Sequence, residues 1–168
     1  AHAPVQMHGM GEPGGTAVFD QAVHLRHAGS GRHQHQRPIR QLGPVHTIDW
    51  AGVATPVRRA TWFVYLDAER EIWRAQGYAT GESFDQFTLE NPVSITKLDA
   101  NGQMLAQAQA VRAATAGELS PDDSFPQSSY VRWTTNQYTD CCLLASTRVY
   151  HSIPSSGSGA SGTHYDET

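Results

Sequence analysis

Histidine is the residue type with the most chemistry on offer in this chain, which holds nine of them. His24 and His27 stand three apart, and His33 and His35 two apart, within a dozen residues. A metal centre needs three or four such ligands to converge, commonly with a carboxylate or thiolate among them. Arg37, Pro38 and Arg40 follow the His33–His35 pair where a carboxylate would be wanted. The spacing therefore assigns no metal site, and the histidines read as solvated or interface residues.

Other reactive types give no stronger pattern. Cys141 and Cys142 are adjacent, and a disulfide ring between neighbours is strained. Asp140 beside them opposes thiolate formation, so they read as two small hydrophobes of a final strand in a reducing compartment. Asp122-Asp123 lies in a loop between Pro121 and Pro126 and reads as solvated. The glycines around Gly9 and Gly11 lack the preceding strand and following helix of a dinucleotide loop. No catalytic, cofactor-binding or metal-ligating residue is assigned, and the expected protein is not an enzyme. Trp50, Trp62, Phe63, Tyr65, Trp73, Tyr78, Phe84 and Phe87 form the second notable cluster. They would fill a core, or, if several were exposed and coplanar, stack against sugars.

The elements that hold these residues read as strands. Leu66-Asp67-Ala68-Glu69-Arg70 and Leu98-Asp99-Ala100-Asn101-Gly102 are related segments 32 positions apart, each joining two apolar runs. Asn101-Gly102 predicts a tight hairpin with both central residues at positive φ. The two hairpins span about 60–79 and 93–112. Residues 67–77 and 103–117 also carry helical signals, and 16–28 fit either a helix face or a strand face. Further strands are expected at 45–54, closed by Pro56, at 83–90, ended by Asn91-Pro92, at 130–135 and at 141–153. The expected fold is all-β, a sandwich or barrel of about eight short antiparallel strands over residues 45–153. An irregular arm at 1–44, extended or partly helical, precedes it. A Gly/Ser-rich tail at 154–168 follows and reads as a flexible linker.

Composition limits the partners. The net charge of −4 argues against direct nucleic-acid binding, and no apolar run is long enough for a membrane helix. No signal-peptide pattern opens the sequence at Ala1. Eleven arginines stand against the single Lys97, a bias that a GC-rich genome explains and that also suits permanent bidentate contacts at buried interfaces. An arm with little core of its own gains order by burying itself against other molecules. The expectation is a structural subunit of a large assembly, contacting copies of itself and other subunits through the arm and the tail. The leading setting is a virion, as a capsid, decoration or tail protein. The alternatives are an accessory subunit of an organellar complex and a carbohydrate-binding module.

Overall fold

The computed structural model describes residues 36–168. Eight strands form one open antiparallel sheet in sequence order: β1 (Gln36–Trp50), β2 (Val53–Leu66), β3 (Glu71–Thr80), β4 (Gln86–Leu98), β5 (Met104–Ala110), β6 (Tyr130–Tyr138), β7 (Leu144–Tyr150) and β8 (Tyr165–Glu167). The all-β, antiparallel reading holds. The sheet is single and open, where the sequence left a sandwich or a closed barrel. Residues 67–77 divide between the β2–β3 turn and β3, and 103–117 between β5 and a loop.

Several strands are long: β1, β2 and β4 run 15, 14 and 13 residues. Pro56 and Pro92, expected to end strands, are accommodated instead, and so is Pro38, in the stretch expected to be an irregular arm. Pro38 lies in β1, an edge strand, where a missing N–H need cost no ladder bond. That is why β1 begins at Gln36 and not at Val45. Pro56 sits on β2 short of Arg58↔Ala79, where pairing with β3 begins. Asn91-Pro92 falls in the irregular pairing between Arg74↔Ser94 and Gln76↔Glu90, so β4 continues through it.

The inner face is layered across the strands. Val64, Trp73, Ile95, Ala108 and Trp133 succeed one another in register from β2 to β6. Trp133 then stacks on Tyr150 with ring centroids 4.0 Å apart, and Tyr150 pairs with Tyr165. Trp62, Ala75, Leu89 and Val93 extend the core towards the other end of the strands. The loop from Val111 to Pro126 lies over this face. Its Leu119 joins the core, and Phe125 meets Trp73 edge-on at 5.1 Å. Large aromatics bury most area per residue, so this layer dominates the packing.

Three hairpin turns share one end of the sheet. Arg70, Gly102 and Cys142 each take positive φ at the same step after the preceding strand. The repeat thus has a third member, Tyr138-Thr139-Asp140-Cys141-Cys142. Asn101 itself is not left-handed. The Asp99 carboxylate accepts from the N–H groups of Asn101 and Gln103, both at 2.8 Å, and sets a longer loop than the predicted two-residue turn. The two-residue turn occurs instead at Ala51-Gly52, both at positive φ, inside the stretch predicted as one strand.

The tail is not a linker. β8 pairs with β7, and Tyr165 is buried beside Tyr150. Gln127 Nε2 donates to the carbonyls of Pro154 and Gly157, and the Tyr150 hydroxyl to that of Ser158. Composition could not show this, because the aromatic anchors lie outside the Gly/Ser run. The Ser146 hydroxyl and the Arg148 guanidinium both donate to Glu167, at 2.8 and 3.1 Å. These bonds hold the Glu167 carboxyl below the ordinary carboxylate value. The folded chain therefore keeps Glu167 ionised to lower pH than the unfolded chain does. Its contribution is present at neutral pH and is lost as pH falls through the carboxylate range. On acidification, the Thr147 amide, which donates to the Thr168 carbonyl at 2.8 Å, is expected to lose hydrogen-exchange protection before the amides around Val64. Simultaneous loss would show that the Glu167 contacts do not hold β8.

Candidate functional site

The residues singled out for chemistry do not converge. His24, His27, His33 and His35 lie outside the described residues. Among the described residues, no three His, Cys, Asp or Glu side chains come together in a way that could hold a metal. Cys141 and Cys142 are exposed in the β6–β7 turn and not on a strand. Turn geometry wins there because Gln103 Nε2, on the neighbouring turn, donates to the Cys142 carbonyl at 2.8 Å. Asp123 is committed to the fold: it pairs with Arg112 at 3.0 Å and accepts from the Ser120 N–H at 2.9 Å.

The aromatic cluster divides. Trp62 and Trp73 are core residues, whereas Trp50 is 50% exposed. Trp50 meets Tyr78 edge-on, with an interplanar angle of 64°. Those two rings do not offer the coplanar faces that a sugar platform needs.

One step along each strand from the aromatic layer, the inner face turns polar. Glu71, Lys97, Ala106, Thr135, Arg148 and Glu167 follow one another in register from β3 to β8. A cavity of about 180 Å³ opens here, lined in part by Glu71, Lys97, Gln127, Tyr130 and Trp133. Glu71, Lys97 and Gln127 already have partners. Glu71 takes the Lys97 ammonium at 3.3 Å on one oxygen and the Trp73 indole N–H at 3.2 Å on the other. Burial, and secondarily the Glu71 carboxylate, push the Tyr130 hydroxyl above its ordinary value. This keeps it a neutral hydrogen-bonding group, not a nucleophile. Gln127 is spent on holding the tail.

Among the described residues, most of the large apolar side chains left exposed lie towards the sheet margins. On the β1 side Ile39, Val45, Ile48, Trp50 and Val53 are exposed; on the β7 side Leu143, Leu144 and Val149 are. On the β1 side all of these but Ile39 sit on an overhang. Val45↔Arg58 to Trp50↔Val53 pair only with each other, since β3 does not reach past Arg58. The result is a two-stranded ribbon beyond the last β2–β3 pair, with Trp50 beside its turn packed against Tyr78 of β3. A lone two-stranded ribbon is marginally stable in water. Here Ile48, Trp50 and Val53 share one of its faces, because Trp50↔Val53 and Ile48↔Thr55 are register pairs. Sequence reasoning missed both margins: alternation shows that a strand has two faces, not that it ends up at an edge.

No protein-family model, no curated protein and no solved structure matches the chain.

Proposed function

We propose that this chain is a structural, non-enzymatic subunit of a multi-subunit assembly, and that the assembly is a virion in which it serves as a capsid, decoration or tail component. The observation that carries the reading is the exposure of apolar side chains at both margins of one open sheet, Trp50 and Val53 on one side and Leu143 and Leu144 on the other. A closed barrel would have no edges to cover. An open sheet leaves two, and a subunit gripped on two sides can propagate an assembly. The polar groups of the inner face serve the fold, which leaves the margins as the surface for partners. The virion setting rests on the body-plus-arm plan, with residues 1–35 leading directly into the β1 edge; it is an argument from architecture.

Sedimentation velocity of the full chain from about 1 to 100 µM tests the reading, a range that brackets micromolar association. The expected result is self-association beyond a dimer, with tryptic cleavage at Arg26 and Arg32 slowing as the larger species forms. A monomer over the whole range, cleaved equally at every concentration, would contradict it.

A further inference from the structure

The two-stranded ribbon carries a more specific inference, which rests on the assembly reading and names one of its contacts. The two-residue turn at Ala51-Gly52 makes Trp50 and Val53 a pair that exchanges both backbone hydrogen bonds. Alternation then turns the N–H and C=O groups of Ile48 towards β2, and those of Thr47 and Asp49 towards the edge that no described strand covers. Nearer its start the same edge is blunted. Pro38 removes a donor, and Gly43-Pro44 form an irregularity between Leu42 and Val45 that Arg58 Nε fixes by donating to the Gly43 carbonyl at 2.7 Å. The unblunted stretch is residues 45–50. Asp49 does not block it, because its carboxylate bends back to accept from the Gly52 N–H at 2.7 Å.

We propose that residues 45–50 of β1 pair antiparallel with the same residues of a second copy of this chain, about a two-fold axis at Ile48. In that register Thr47 of each copy exchanges hydrogen bonds with Asp49 of the other, about four bonds in all. Facing residues then sit on the same side of the sheet, so Ile48 meets Ile48 and Trp50 meets His46. The two ribbons become one four-stranded sheet whose apolar faces are continuous. Self-pairing needs no partner sequence other than this one. The preceding residues of the same chain are poorly placed to fill the edge. They enter at Gln36, at the far end of a 15-residue strand, about 40 Å from Ile48. To reach Ile48 they would have to run back past Pro38 and the Gly43-Pro44 irregularity.

Charge exchange at the axis tests this in the full chain. Ile48→Lys and Ile48→Glu each place like charges opposite each other, and each is expected to weaken dimer formation tenfold or more. Ile48 is 38% exposed, so both variants are expected to melt with the parent chain. Mixing the two variants is expected to restore the dimer, read by light scattering. If each variant alone associates as the parent does, or if mixing restores nothing, the pairing at Ile48 is wrong while the assembly reading stands. If the parent chain is monomeric throughout, both fall together.

Discussion

Gly77→Ala is expected to lower the stability of this chain by about 3 kcal/mol, the upper end of what overpacking costs, and its melting temperature by on the order of 10 °C. β3 and β4 approach so closely at Gly77 that a Cβ there would overlap the Thr88 carbonyl oxygen. It would also come within 2.9 Å of Trp62 Cζ3 and 3.0 Å of Leu89 Cα. Two of these three neighbours are backbone, so no side-chain rotation relieves the clash. The third is the largest fully buried side chain of the core. The strain therefore passes to the Trp62 layer and to the β3–β4 pairing. Urea titration followed by Trp fluorescence reads the effect. A midpoint within error of the parent's would mean that the two strands are less closely packed than described.

Arg112→Met is expected to cost a similar amount, about 3 kcal/mol, in the range for removing one partner of a largely buried ion pair. Arg112 organises the loop over the inner face. Its guanidinium donates to the carbonyls of Ala114 (2.6 Å), Ala116 (2.8 Å), Glu118 (2.9 Å) and Gly117 (3.1 Å), and to the Asp123 carboxylate (3.0 Å). Its own peptide exchanges two bonds with the Asn91 side-chain amide. The side chain is only 11% exposed. Removing it leaves inward-turned carbonyls without donors and Asp123 without its cation. Arg112→Lys is expected to recover little, because an ammonium has three donors on one atom and cannot span the same set. Loss of the loop would also take Phe125 off Trp73. The variant's Trp emission should therefore shift to the red before global unfolding. A Lys variant as stable as the parent would refute the claim that the fork geometry matters.

The arginine excess gains a partial account here. Arg112 holds its own loop together, and Arg40 reaches Glu118 on the same loop at 3.2 Å while lying over the Phe87 ring. At least these two serve the chain's interior, where the sequence had suggested contacts between chains.

How much the sequence could show depended on which residues did the work locally. The Leu-Asp-Ala hairpins were legible because turn residues and apolar runs lie within a few positions. Their third relative was not, because Thr139-Asp140-Cys141 shares a backbone shape and little composition. Arg70 and Cys142 hold a left-handed conformation that usually favours glycine, at a cost of about 1–2 kcal/mol each. The Ala51-Gly52 turn was hidden for the same reason, since alanine does not announce a positive φ. Asn101-Gly102 was misread because Asp99, two residues upstream of Asn101, takes control of the loop. The prolines misled because their effect depends on whether a neighbouring strand needs the missing N–H, which only strand order decides. Trp133, Tyr150 and Tyr165 build one aromatic row from three successive strands, each about 15 or more residues from the next, and no local window contains it. The candidate surfaces are margins of the sheet, and margins are a property of topology.

Hydrogen exchange at residues 45–49 and 143–146, measured across a dilution series of the full chain, tests most directly whether neighbours take the two margins. The account predicts that both stretches gain protection as concentration rises, while the amides around Val64 do not change. Exchange at both margins that is the same at every concentration would contradict it.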